Sequence, residues 1–273
     1  MRIRSTFLAA AVTAALALGG FAGEPTVKGA DAPEIVSQWK GRKVAFLGDS
    51  ITDKIHVGTT ANYWNYLPAI LGIDAYVYGK NGWQMKGLLE QADWVKSELG
   101  DRVDAIFIFA GTNDFNGGVP LGEWFTEDER EVNRNGQPTR LKHRTMVFDD
   151  TFRGRINSLM AKLRREFPRQ QIVLMTPIHR AFARFGENNV QPDESFANPL
   201  GLYIDQYAAA VREAGSIWSA PVIDLFGESG LYPCEPAHAR YFCNAKQDML
   251  HPNAAGHERI ARTMVYRMLT LIP

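Results

Sequence analysis

Short, uniformly apolar runs alternate along this chain with longer stretches in which apolar residues recur every three or four positions. The runs are Lys43–Leu47 (KVAFL), a weaker Ala75–Tyr78, Ala105–Phe109 (AIFIF), Gln171–Met175 (QIVLM) and Pro221–Leu225 (PVIDL). A strand buried on both faces reads this way, because neither set of alternate positions meets water. The clearest helical stretch is Asp150–Phe167. There Phe152, Ile156, Leu159, Met160, Leu163 and Phe167 fall on one helix face, and Pro168 ends it. Weaker versions cover Tyr63–Leu71, Met85–Leu99, Tyr203–Ala214 and Ala254–Leu271. Strands alternating with helices predict an α/β chain whose parallel sheet, of about five strands, is covered on both faces.

Two segments break the rhythm. Residues 116–149 are long, polar and charged, and carry Asn135-Gly136. An insertion above ~15 residues is often functional, though a solvated surface excursion is equally compatible, and Asn-Gly marks a hairpin tip. The N-terminus has Arg2 and Arg4, an apolar Phe7–Phe21 and small residues at Ala22 and Gly23. That pattern predicts a signal peptide over residues 1–23, too short to span a bilayer, and a secreted or periplasmic protein. Residues 24–273 then form one domain with no stable membrane insertion. No cysteine lies near the cleavage site to take a lipid anchor.

Composition narrows the partners. Hydrophobic residues make up 45% of 273, enough for one sizeable core. Basic and acidic residues balance at 30 each, so no net field draws nucleic acid or an anionic membrane. In an oxidising compartment Cys234 and Cys243, the two cysteines, are expected to bridge. A zinc site with His238 lacks a second ligand pair, and two free thiols are the remaining alternative.

In an open parallel sheet, ligands bind beyond the carboxyl ends of the strands. Gly48-Asp49-Ser50-Ile51-Thr52 follows the first run and Gly79-Lys80-Asn81-Gly82 the second. Gly111-Thr112-Asn113-Asp114 follows the third, and Asp248-Met249-Leu250-His251 precedes the last helix. A serine hydroxyl needs a base to take its proton, and histidine suits that task. A carboxylate on the other imidazole nitrogen fixes the tautomer, and one turn can present Asp248 and His251 together. The Ser50 N–H, a glycine N–H and the Asn113 amide are candidate donors to an oxyanion.

These blocks together resemble the SGNH/GDSL hydrolase family, from Lys43 to about Ala261. Each block alone is a weak signal; in this order, at these element ends, they are a specific one. Ile51 stands where the family name has leucine. The resemblance implies a flavodoxin-like, doubly wound three-layer α/β/α fold. It also implies ester hydrolysis through an acyl-enzyme on Ser50, with His251 as base and Asp248 behind it, and no metal or cofactor. Gly79 and Gly82 each fit the oxyanion glycine. Gly82 is preferred, because Asn81-Gly82 immediately precedes the next helical pattern, where that glycine sits in the family.

Other residues carry plainer expectations. Ser50 alone would pass for a helix N-cap; with it as nucleophile, Thr52 and Asp53 become the cap candidates. His257 lacks an aspartate three positions earlier and is expected to pack or face solvent. Asp49 and Asp114 are expected to hold nearby backbone in turns. His143 and His179 are expected on loops or the surface, His179 with a possible place at the site. Tyr63, Trp64, Trp83, Phe115, Trp124 and Phe125 suit either sugar stacking or packing beneath loops, packing being favoured. The expected substrate is a small-molecule or oligosaccharide ester, first an O-acetylated carbohydrate. The alternatives are a lipid-directed esterase of lysophospholipase or thioesterase type, and a non-catalytic carbohydrate-binding module on the same fold.

Overall fold

The structure is a computed structural model and describes residues 37–273, so the signal-peptide expectation lies outside the described residues. In chain order the elements are β1 (Lys43–Gly48), α1 (Tyr63–Leu71), β2 (Asp74–Val77), α2 (Leu88–Leu99), β3 (Ala105–Phe109), α3 (Thr112–Asn116), β4 (Phe125–Arg134) and β5 (Gln137–Met146). There follow α4 (Phe152–Glu166), β6 (Gln171–Met175), β7 (Ala183–Gly186), β8 (Asn189–Gln191), α5 (Ile204–Trp218), β9 (Val222–Ile223), α6 (Leu225–Glu228), β10 (Phe242–Asn244), β11 (Asp248–Pro252) and α7 (Ala254–Met268).

The apolar runs become a five-stranded sheet in the order β2-β1-β3-β6-β9, its pairs parallel. Alternate strand residues serve two cores. Ala45, Leu47, Ile106, Ile108, Ile172 and Leu174 pack with apolar residues of α2, α4 and α5. Val44, Phe46, Phe107, Val173 and Met175 pack on the other face with α1 and α7. That is the three-layer α/β/α arrangement, and it explains why the strands read as continuous rather than alternating hydrophobics. The strand order reverses between β1 and β3, so the crevice for a ligand opens where those two strands end.

The polar insertion is an antiparallel ribbon of β4 and β5, paired from Phe125 opposite Met146 to Arg134 opposite Gln137. Asn135 (φ 53) and Gly136 (φ 82) form its tip, both in the left-handed region that a tight hairpin turn requires. Glu127 faces Arg144, Glu129 faces Lys142 and Glu131 faces Arg140, so opposite charges pair across the exposed strands. A second small sheet, β10-β11-β7-β8, has no counterpart in the sequence pattern. It carries Asp248 and His251 on a strand, where a simple turn was expected.

Candidate active site

The Ser50 turn begins where β1 ends. The Asp49 carboxylate accepts the Ile51 N–H at 3.1 Å, and the Asp49 carbonyl accepts N–H groups of Thr52 and Asp53 at 3.1 and 3.0 Å. No helix starts here, so Thr52 and Asp53 are not caps. Thr52 Oγ1 bonds the Tyr63 hydroxyl at 3.0 Å, and Asp53 accepts from Ile55 at 3.1 Å and Asn81 at 2.7 Å. Ser50 is left 3% exposed. Burial pushes the Asp49 carboxyl up to about 7, against the Ile51 hydrogen bond and the proximity of His251.

β11 folds tightly around its own first residue. Asp248 Oδ1 accepts the N–H groups of Leu250 and His251 at 3.1 and 2.9 Å. The other oxygen, Oδ2, meets His251 Nδ1 at 2.8 Å, and His251 Nε2 lies 2.9 Å from Ser50 Oγ. A carboxylate facing Nδ1 places the ring proton there, which leaves Nε2 to accept the serine proton. Burial alone would raise the Asp248 carboxyl. The His251 ring bond and charge and the two backbone donors outweigh it and hold the group below its ordinary value.

Two segments without motif signals approach His251. Gly58 sits at φ +71, and a Cβ there would lie 2.9 Å from Cys243 Cβ and 3.0 Å from His251 Cβ. Glycine is required both by that backbone conformation and by the close approach. The Phe185 ring meets the His251 ring at 5.3 Å and 61°.

The glycine block lies against the serine turn. Lys80 N–H donates to the Gly48 carbonyl at 3.0 Å. A Cβ on Gly79 would come within 2.6 Å of Thr52 Cβ, so Gly79 serves packing; Gly82, at φ +77, has nothing within 4 Å of its Cβ position. Asn113, on α3, donates one amide hydrogen to the Trp83 carbonyl at 3.0 Å, which orients the amide and leaves its second hydrogen unspent. Among the described residues the N–H groups of Ser50 and Gly82 also have no protein acceptor.

Asp114 departs from expectation. Its carboxylate takes the distant Met85 N–H and the Arg155 guanidinium, each at 2.9 Å, and so ties the α3 turn to α4. Burial pushes it up to about 6, against those two bonds. The signal for this pair was present: Arg155 interrupts the apolar stripe of α4 beside Ile156 and Phe152.

The remaining candidates sort clearly. His257 is buried in α7, and its Nδ1 accepts the Tyr63 N–H at 3.1 Å. His143 is half-buried on β5, its Nδ1 3.1 Å from Asp128 Oδ1. His179 bonds Glu194 at 2.6 Å and packs on Phe226 and Tyr232. Tyr63, Phe115 and Trp124 are buried, which assigns them to packing. The expected Cys234–Cys243 bridge is not formed: both are free thiols. Cys234 Sγ turns to the Arg180 carbonyl at 3.9 Å, whereas Cys243 turns toward Gly58 and Asp248. His238 Nδ1 accepts the Tyr232 N–H at 3.0 Å.

With fold and geometry in hand, the class is that of an α/β/α ester hydrolase. Residues 46–259 match the GDSL-like lipase/acylhydrolase family, and the chain belongs to that family. Among solved structures, a protein from Lactobacillus plantarum is 25% identical with a TM-score of 0.65, over 84% of this chain and 97% of that one. A possible lipase from Chitinophaga pinensis is 22% identical with a TM-score of 0.63, over 83% and 98%. An acetyl xylan esterase from Geobacillus stearothermophilus is 22% identical with a TM-score of 0.51, over 85% and 95%. A search of curated proteins gives no match. No helix among the described residues is long and apolar enough to cross a membrane.

Proposed function

We propose that the protein is an exported serine esterase that removes short acyl groups, acetyl first, from carbohydrates. The observation that carries the chemistry is the unbroken line from Asp248 Oδ2 through the His251 ring to Ser50 Oγ, at 2.8 and 2.9 Å. In this mechanism Ser50 Oγ attacks the ester carbonyl while His251 Nε2 takes its proton. Asp248 stabilises the imidazolium. The three unspent donors, from Ser50, Gly82 and Asn113, receive the oxyanion. His251 then gives the proton to the departing alcohol, and water repeats the sequence on the acyl-enzyme.

The short-acyl preference rests on the ribbon of β4 and β5. Its Glu127, Asp128, Glu129, Arg130 and Glu131 are exposed, so it is no apolar lid for an acyl chain. Desolvating such charges beside a chain would offset the ~0.8 kcal/mol gained per CH₂ buried. The fold is compatible with acetylated polysaccharide as substrate, as the acetyl xylan esterase illustrates. The signal-peptide pattern of residues 1–23 supports export of the remaining domain, residues 24–273, to the cell exterior or periplasm. The test is kcat/KM across nitrophenyl esters from acetyl to octanoyl, together with acetylated sugars. We expect a fall with chain length; a steady rise to octanoyl would replace this proposal with the lipid-directed one.

A further inference from the structure

Resting on the esterase assignment above, we infer that the β7–β8 hairpin is the leaving-group subsite, with Phe185 as the platform for the pyranose ring of the departing alcohol. In acylation the Ser50 Oγ–carbonyl carbon bond forms and the bond from that carbon to the alcohol oxygen breaks. The proton taken from Ser50 passes from His251 Nε2 to that oxygen, so charge and atoms balance. The alcohol oxygen therefore comes within hydrogen-bond reach of Nε2, and the rest of the alcohol lies beside the imidazole. The ring found there is Phe185, 5.3 Å from His251 and 45% exposed.

An exposed phenyl ring next to a buried triad is unusual company. Phe182, just before β7, and Val190 on β8 are also exposed, at 39% and 50%. Glu187, Asn188 and Asn189 at its turn are exposed and polar. A sugar ring has the matching character, with an apolar C–H face and a rim of hydroxyls.

The hairpin is also firmly held. Ala183 pairs with Asp248 itself. Ala181 N–H donates to the Met249 carbonyl, Met249 N–H to Phe182 and Arg184 N–H to Gln247, at 2.7–3.0 Å. At its foot the buried Arg180 guanidinium bonds Gln191 Oε1 at 2.7 Å, and Glu194 accepts the Arg180 N–H at 2.9 Å. The platform and the proton donor thus lie on neighbouring strands, β7 and β11, which pair at Ala183 and Asp248, so a sugar on Phe185 lies beside His251.

The test compares leaving groups that share one acetyl-enzyme. Wild type, Phe185→Ala and Phe185→Trp are assayed on a methyl O-acetyl-xyloside, ethyl acetate and phenyl acetate, with Ser50→Ala as the blank. Deacylation is common to all three esters, so any effect on the ratio of kcat/KM values belongs to the alcohol. We expect Phe185→Ala to lower the xyloside-to-ethyl ratio by about 3- to 10-fold, the scale of one aromatic contact, and Phe185→Trp to restore it. An equal loss on all esters would make Phe185 a support for His251 only. A loss confined to phenyl acetate would assign the platform to aryl alcohols. Turnover of ethyl acetate without turnover of the xyloside would also overturn the sugar subsite while leaving the esterase intact. No Ser50-dependent turnover of any ester would bring down the esterase assignment itself.

Discussion

His251 on β11 and His257 on α7 lie in one short stretch, and both are buried. Their surroundings differ in every other respect. His251 has an acceptor carboxylate on Nδ1 and the Ser50 hydroxyl on Nε2. His257 has only the Tyr63 N–H on Nδ1, and its Nε2 is buried with no partner. Burial pushes the His257 ring down to about 3, with the other histidines His251 and His56 adding to the effect, so it stays neutral. Burial alone therefore does not make a catalytic histidine. Under the proposed mechanism the difference lies in the neighbours, since His251 has the Asp248 carboxylate and the Ser50 hydroxyl and His257 has neither.

The largest expected effect separates the two rings directly. Ser50→Ala or His251→Ala should lower kcat by about 10⁴- to 10⁶-fold with the fold retained, since members of such a unit fail together. His257→Asn keeps an acceptor for the Tyr63 N–H and should leave kcat within about tenfold. Steady-state kinetics with circular dichroism decides it; a His257 variant as inactive as the His251 variant would erase the contrast.

Next in size is Asn113→Ala. Its free amide hydrogen would bond the oxyanion more strongly than the ground-state carbonyl, so kcat should fall by ~10²–10³-fold with KM little changed. A change in KM alone would make Asn113 a substrate-binding group instead.

A smaller loss is expected from Gly58→Ala. Its Cβ would press on Cys243 and His251 at about 3 Å in a left-handed backbone. Moving the imidazole by a fraction of an ångström should cost on the order of 10- to 100-fold in kcat. The same turnover as wild type would show that Gly58 does not constrain the ring.

Legibility in the sequence followed the same division between partners and burial. β1, β3 and β6 were readable because strands buried on both faces leave an unbroken apolar run. The meeting of Ser50, Asp248 and His251 was legible because these residues lie in short local blocks at element ends. Phe185 was not, since β7 and β8 are short and largely exposed, and no periodicity marks them. The Asp114–Arg155 pair joins residues on different elements; only the charge within the α4 stripe hinted at it. Of the six aromatics in the site loops, Tyr63, Phe115 and Trp124 are buried, and the exposed ring that meets His251 is Phe185, outside those loops.

The smallest effect concerns stability against pH, where His257 has an opposite number in Asp49. His257 has a folded value of about 3 against an ordinary 6.5. Between those values the unfolded chain binds a proton that the native ring refuses, so stability falls as pH falls. Asp49 has a folded value of about 7 against an ordinary 3.8. In that interval the native carboxyl keeps a proton that the unfolded chain releases, so stability falls as pH rises. The two windows overlap almost completely, and the two slopes oppose each other. Asp49→Asn retains the acceptor for Ile51 and removes one slope, so its melting temperature should drop more steeply than wild type on acidification from pH 6.5 to 4. His257→Asn removes the other slope, and its melting temperature should decline, relative to wild type, as pH rises from 4 to 7. Thermal melts in buffers across that range read both. Two variants that track the wild-type profile in parallel would mean that neither buried group changes its proton occupancy on folding, and the electrostatic contrast between the two histidines would lose its support.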